Sequence, residues 1–339
     1  MEIHPHDVGS ARLWHHEEQG LICLSVWTER IRDHGEDADP LVLLYRPSGR
    51  GLLAVFDGVG GAGRASAGRT PDGAAHTQAW VASRRLRGLV EEWFVSDRPH
   101  DELGPHIAAR LATDAKVHSR MRGTIRREFP STLAALDFRP LPDGRVSWDV
   151  LWAGDSRCYV AQPHLGLQQL SRDDTEGSDA LALLVQDPPM TNMVCANREF
   201  ALNRWQGRAP QPCVLIAATD GFFGYVATPA QFEHVLWDTL EQSSDAKQWA
   251  DLLARRVSAY TGDDASLAVV ALGFASFAQL CAAFHDRGHH LRAAHDEPVS
   301  RAGDQQELTT AREDSWRRYQ PGYERQWPRL VPAGAEEVR

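Results

Sequence analysis

The sequence predicts a layered α+β domain, and three observations point to it. Short apolar runs recur along the chain, bounded by Gly, Pro and acidic punctuation. Longer stretches space their apolar residues three and four apart, the helical period. The order is strands, helices, strands, helices, strand, rather than the regular alternation of a βαβ protein.

The first runs are "LICLSVWT", "PLVLLYR" and "GLLAVFD", separated by "DHGEDADP" and "RPSGRG". Connections this short predict antiparallel pairing, because parallel neighbours need a long crossover. A Gly/Ser/Arg-rich loop, "AGRASAGRTPDG", leads into a helix that carries Ala79, Leu86, Val90 and Trp93 at helical spacing. The stretch "ELGPHIAARLATDAKVHSRM" predicts a second helix. Strands resume at "STLAALDF", "RVSWDVLWAG", "RCYVAQ" and "LQQLS", the first two joined by a turn at Pro142–Gly144.

Residues 172–197 read as a surface excursion. Ala180–Gln186 suits a short helix, which "DPPMTNMV" cannot continue, because paired prolines remove donors and fix φ. The strand "QPCVLIAATD", helical patterns across 229–242 and 245–260, and the strand "SLAVVALG" follow. An apolar helix at "FASFAQLCAAF" then gives way to a charged segment, 286–339, with few aliphatic residues but with Trp316, Tyr319, Tyr323 and Trp327. Its plain reading is a largely disordered end; four aromatics in a dozen residues suggest instead a tail that docks a partner or folds back.

With 339 residues, 42% of them hydrophobic, the chain can bury a full core as one large domain plus an appendage, or as two domains. A net charge of −10 argues against a nucleic-acid partner, which would need a basic face. Cys23, Cys158, Cys195, Cys213 and Cys281 form no CxxC pair and read as buried thiols in a reducing compartment. No apolar run approaches the ~20 residues that span a bilayer, and "MEIHPHDVGS" lacks a hydrophobic signal core. The expectation is a soluble, cytoplasmic protein without a membrane partner.

The stretch "LLAVFDGVGGAGR" fits G-x-G-x-x-G at Gly58, Gly60 and Gly63, the dinucleotide fingerprint. That function needs a helix starting within the loop and a second strand ending in an acidic residue about 20 positions on. The sequence predicts neither: the loop runs on through Gly68, Pro71 and Gly73, and Ser83 falls inside a helix before Arg84 and Arg85. No GK[ST] follows either, which removes the P-loop.

A metal site asks instead for carboxylates at strand ends. Four apolar strands meet acidic tips: Asp57, Asp155, Asp220, and Asp263–Asp264 just before "SLAVV". Glu36 and Asp37 lie upstream. Each Asp-Gly alone is more often a turn; the repetition favours a shared site for a hard divalent cation such as Mg²⁺ or Mn²⁺.

In order the chain carries R-x-x-x-E-D (Arg32, Glu36, Asp37), D-G-x-G-G (Asp57–Gly61), S-T (Ser131, Thr132), G-D-S-R (Gly154–Arg157), T-D-G (Thr219–Gly221) and D-D-A-S-L (Asp263–Leu267). This ordered set, over roughly residues 20–273, resembles the metal-dependent protein serine/threonine phosphatases of the type 2C family. The resemblance implies an α+β fold of four layers, α-β-β-α, with two central antiparallel sheets flanked by helices. It implies a phosphatase domain at 1–273, followed by a C-terminal helix and tail at 274–339, partly disordered.

The resemblance also implies a phosphoric monoester hydrolase that uses two Mn²⁺ or Mg²⁺ ions per site on phosphoserine or phosphothreonine in proteins. The partner would be a phosphoprotein, the target of a protein kinase or the kinase itself. Asp57 would bridge both ions, and the Gly58 carbonyl would bind the second. Asp220 and Asp263 would complete the first, Glu36 would support the second through water, and Arg32 would grip the substrate phosphate. Asp37, Asp155 and Asp264 would brace these ligands or hold a weak third ion.

Two positions depart from the pattern. Val59 stands where some members have a histidine proposed as general acid, and Gly224 where D-G-x-x-D would place an aspartate. The third ion is therefore expected to be weak or absent, and turnover slow. Plainer expectations stand beside these: Asp155 and Arg157 as a turn with an ion pair, and Asp37 as a brace on the Asp57 loop. His4, His6, His15 and His16 read as a solvated segment, and "RRLRG" as a solvated helix face. A phosphatase-shaped module that binds a partner without turnover, and hydrolysis of a small phosphoester, are the alternative functions.

Overall fold

The computed structural model describes residues 11–69, 75–118, 127–177, 179–186 and 188–328. Along the chain, β1 (Arg12–Glu18) and β2 (Leu21–Thr28) form one hairpin, and β3 (Leu41–Tyr45) and β4 (Arg50–Val55) a second. A single helical turn, α1 (Gly60–Gly63), and a ribbon of β5 (Ser66–Arg69) and β6 (Ala75–Thr77) precede α2 (Gln78–Val95) and α3 (Leu103–His118). Then come β7 (Leu133–Pro140), β8 (Arg145–Ala153), β9 (Arg157–Gln162), β10 (Gly166–Gln169) and the short α4 (Ala180–Leu183). β11 (Asn203–Pro210) and β12 (Cys213–Ala218) lead to α5 (Asp220–Phe223), α6 (Pro229–Glu241) and α7 (Ala246–Tyr260). β13 (Ala265–Leu272) is followed by α8 (Phe277–Leu291), α9 (Glu297–Ser300) and α10 (Gln305–Tyr323).

The strands make two antiparallel sheets. One runs β1-β2-β13-β12-β9-β10 and the other β11-β8-β7-β4-β3. Side chains alternate faces with period two. On β2, Ile22, Leu24 and Val26 meet the helices while Cys23 faces the other sheet; on β4, Leu53 and Val55 face inward while Leu52 and Ala54 meet α2 and α3. Both faces of these strands are buried, which is why they read as continuous apolar runs. Helices α6, α7, α8 and α10 cover the first sheet, and α2 and α3 the second. The predicted α+β fold with two antiparallel sheets between helical layers is the one observed.

The differences are local. β2 does not pair with β3; the segment after Thr28 crosses to the second sheet, and β2 pairs with the equally apolar β13. A short connection limits distance but does not choose the sheet. The edge strands β1, "RLWHHEE", and β11, "NRWQGRAP", are too polar to stand out in the sequence. His15 and His16 lie on this edge strand, His15 exposed and His16 half-buried. His4 and His6 are outside the described residues, as are positions 70–73 of the glycine-rich loop and 119–121 of the second predicted helix.

A helical turn does begin within the glycine loop, contrary to the sequence expectation: Gly63 N donates to Val59 O at 2.8 Å. A Cβ at Gly63 would stand 2.7 Å from Pro130 and 2.8 Å from the Ala79 nitrogen, so glycine permits the close packing. The turn leads to a ribbon and a helix, not to the second strand of a dinucleotide site.

Nor is the end of the described chain disordered. Trp316, Tyr319 and Tyr323 on α10 are buried in the cluster beneath the first sheet. Positions 329–339 lie outside the described residues. Among the described residues no helix is long and apolar enough to cross a membrane.

Candidate active site

Register brings the acidic tips to one end of the sandwich. In the first sheet Ala218 pairs with both Leu267 and Arg157, and Ala265 pairs with Thr28. Asp220, Asp263, Asp155 and the loop after β2 therefore converge. In the second sheet Val55 pairs with Ala134, and Leu133 with Ala153, which carries Asp57 to the same end.

Asp57 is set by its backbone. Its carbonyl accepts from Thr132 N and Ser131 Oγ, each at 2.8 Å, and its N–H reaches Thr132 Oγ1 at 3.3 Å. Burial raises its pKa well above the ordinary carboxylate range, and Asp37, Asp155 and Asp263 push it further. Asp220 opens α5 and is raised for the same reasons: burial first, then Asp57, Asp155 and Asp263. Like charges held this close call for a counter-ion.

Asp37 is 1% exposed and accepts from Thr219 Oγ1 at 2.8 Å, while Thr219 Oγ1 accepts from Ser266 N at 2.9 Å. Burial and Asp264 raise its pKa. Asp264 takes Arg30 N at 2.8 Å and Glu36 N at 2.6 Å on its two oxygens. Asp37 and Asp264 thus brace the loop before β3, and Asp264 has both oxygens engaged there.

Glu36 lies over the glycine loop, its Oε1 accepting from Thr77 Oγ1 at 2.5 Å and its carbonyl from Ser83 Oγ at 2.5 Å. A Cβ at Gly60 would overlap Glu36 Oε2 at 1.9 Å. Burial raises the Glu36 pKa, the Thr77 hydrogen bond lowers it, and Asp264 and Asp263 raise it further.

Arg32 stands apart. Its side chain is 77% exposed and meets Asp33 at 3.8 Å; among the described residues no ion pair joins it to the cluster. Arginines of the "RRLRG" run, expected on a solvated face, hold this loop instead. Arg84 Nη2 donates to Gly35 O at 3.0 Å, and Arg87 Nε to Asp39 O at 2.9 Å. Burial lowers the Arg84 pKa to about 10.

On the other side a cavity of about 310 Å³ is lined by Asp155, Asp220, Asp263, Gly224, Tyr225 and part of the 172–197 excursion. Arg157 does not pair with Asp155. It forms a buried ion pair with Asp173, at 2.6 Å, and donates to Tyr323 Oη at 3.2 Å. Asp174 accepts from Gly154 N at 3.0 Å and is held by Asn192 and Asn203. Tyr225, beside Gly224, directs its hydroxyl to Asp263 Oδ2 at 3.5 Å; burial, then Asp263, raise its pKa to about 12.

Sequence reasoning missed Thr77, Thr219, Asp173, Tyr225 and the two clamping arginines. The T-D-G motif contains Thr219, but only the fold shows its hydroxyl turned to Asp37.

The donor set fits hard divalent cations: the ligands are carboxylate oxygens, and burial and acidic neighbours raise Asp57 and Asp220 together. Among the described residues no three of these carboxylates bring an oxygen each within 4.8 Å of one another.

No protein-family model matches the chain, and no curated protein matches it in sequence. Solved structures do. The serine/threonine phosphatase Stp1 from Staphylococcus aureus superposes with a TM-score of 0.51 at 16% identity, over 80% of this chain and 99% of its own. A bacterial serine phosphatase gives 0.50 at 15%, over 78% and 98%. The catalytic domain of the serine/threonine phosphatase PstP, in complex with two manganese ions, gives 0.44 at 18%, over 77% and 98%. With two antiparallel sheets, helical outer layers and its acidic strand tips gathered at one end, this chain has the fold of the type 2C serine/threonine protein phosphatases.

Proposed function

We propose that the chain is a metal-dependent protein phosphatase acting on phosphoserine or phosphothreonine. The observation that carries this reading is the convergence of Asp57, Asp220 and Asp263 at one end of the sandwich, each of the first two raised by its acidic neighbours. Asp57, the Gly58 carbonyl, Asp220 and Asp263 would hold two Mg²⁺ or Mn²⁺ ions, with Glu36 supporting through water. When bound, such ions supply Lewis acidity toward the phosphoryl group and a nucleophilic water at neutral pH.

The chain's own side chains do the rest. Thr132 and Ser131 fix Asp57 from behind, and Thr219 with Asp37 fixes the ends of β12 and β13. Arg32, exposed at the rim, is free to swing from Asp33 to a phosphate dianion, which a guanidinium can grip through two oxygens. Val59 offers no proton to the leaving alkoxide, so that proton comes from solvent. Gly224 offers no carboxylate to a third ion, and turnover is expected to be slow. The substrate is a phosphoprotein, the target of a kinase or the kinase itself.

A second reading, a phosphatase-shaped module that binds a partner without turnover, is favoured by the spread of the carboxylate oxygens and by Tyr225 beside Gly224. Hydrolysis of a phosphothreonine peptide, with and without Mn²⁺ and beside Asp220→Asn, separates the two. The phosphatase reading expects activity that needs both Mn²⁺ and Asp220. Silence of the wild type with metal bound favours the module, and faster hydrolysis of nucleotides than of phosphopeptides would move the substrate to small molecules.

A further inference from the structure

Away from the carboxylate cluster, α6 and α8 gather a second set of metal-ligating side chains. His285 and His289 are one turn apart on α8, so both rings leave the same face, with centroids 4.4 Å apart. Glu241, the last residue of α6, meets them both. His285 Nδ1 lies 3.1 Å and His289 Nε2 3.3 Å from the same oxygen, Glu241 Oε1. One donor from each residue falls within 4.8 Å of the others.

The backbones beneath are fixed by packing. Trp237, one turn before Glu241, stacks on Phe284 at 3.9 Å. Cys281, one turn before His285, gives its thiol to Leu240 O at 3.5 Å and so is engaged elsewhere.

Spacing and charge favour a cation between these groups. With metal–ligand bonds of about 2.0–2.2 Å, tetrahedral donors stand about 3.3–3.5 Å apart, close to the two distances seen here. A simple ion pair would need only one imidazole. The other oxygen, Glu241 Oε2, has Arg292 Nη2 at 4.0 Å. Two nitrogens and one carboxylate oxygen are the donors of Zn²⁺ and its borderline neighbours rather than of Mg²⁺.

We propose that Glu241, His285 and His289 form a surface site for a divalent transition metal of the Zn²⁺ class, tying the end of α6 to α8. The test is a calorimetric Zn²⁺ titration of the full, tag-free, metal-stripped chain in excess Mg²⁺, with Co²⁺ absorption as a second readout. One Zn²⁺ per chain should bind, equally in Asp220→Asn and Cys281→Ser, with a tetrahedral Co²⁺ spectrum. Losing a group that merely supports a ligand costs about 10–100-fold in metal affinity, so His285→Ala and His289→Ala should each lose at least that. Zn²⁺ should raise the wild-type melting temperature and leave that of the two histidine variants unmoved. The site is overturned if the histidine variants bind Zn²⁺ as tightly as the wild type, or if the wild type binds none. All three side chains are solvent-accessible, so the variants should fold, which their metal-free melting curves will check.

Discussion

The two flanks of the carboxylate cluster are built in different ways. On one, Asp37 and Asp264 brace the loop after β2 through Thr219 and the N–H groups of Arg30 and Glu36, tying that loop to the ends of β12 and β13. On the other, the excursion beside Asp155 is held from behind. Arg157 links Asp173 to Tyr323, Trp316 Nε1 donates to Asp179 at 2.8 Å, and Trp205 Nε1 to Gln326 O at 2.9 Å. The first flank is a hydrogen-bond frame among the loop after β2 and the ends of β12 and β13, and the second depends on α10 and the residues just after it, which follow the last strand. A site can thus be half motif and half scaffold.

The largest effect should come from the scaffolded flank. Arg157→Leu leaves Asp173 buried without its cation, and breaking a buried pair this way costs about 3–5 kcal/mol. Urea unfolding should show that loss; a change below 1 kcal/mol, on the order of a surface pair, would mean the strut does not hold this flank. Thr219→Val tests the framed flank. It removes a donor from the buried Asp37 carboxylate and should cost about 1–3 kcal/mol, with far less effect on protease sensitivity of the excursion.

The cluster between the flanks gives a pH prediction. Asp57 and Asp220 have folded-state pKa values raised by burial and by neighbouring carboxylates, so they keep protons that the unfolded chain releases above about pH 4. Their contribution to stability is present below that pH and is lost as pH rises toward the raised values. Metal-free wild type should therefore lose melting temperature over this window relative to Asp220→Asn, and Mn²⁺ should narrow the gap. Parallel curves would sink the idea of a repelling cluster. The smallest effect is expected for Tyr323→Phe, which removes one acceptor from Arg157 and should cost about 1 kcal/mol.

The same contrast explains what the sequence revealed. Strands buried on both faces, such as β2, β4 and β13, announce themselves, and the acidic residues at their ends could be read with them. β1 and β11 lie at sheet edges, where polar side chains are tolerated and the apolar signal fades. α10 has few aliphatics because its buried face is built from Trp316, Tyr319 and Tyr323, a composition shared with exposed tails. The clamping arginines and Asp173 were illegible for another reason. Their partners, Gly35 O, Asp39 O and Arg157, are neighbours only once the fold is formed.

The pairing of β2 with β13 has a consequence for the chain as it is made. Roughly 240 residues separate the two strands, and at about 5–20 residues per second a ribosome needs about 10–50 s to pass from one to the other. Throughout that interval "LICLSVWT" has β1 on one side and a bare hydrogen-bonding edge on the other. The nascent chain therefore carries an apolar strand with an unpaired edge through that interval, a target for a holding chaperone.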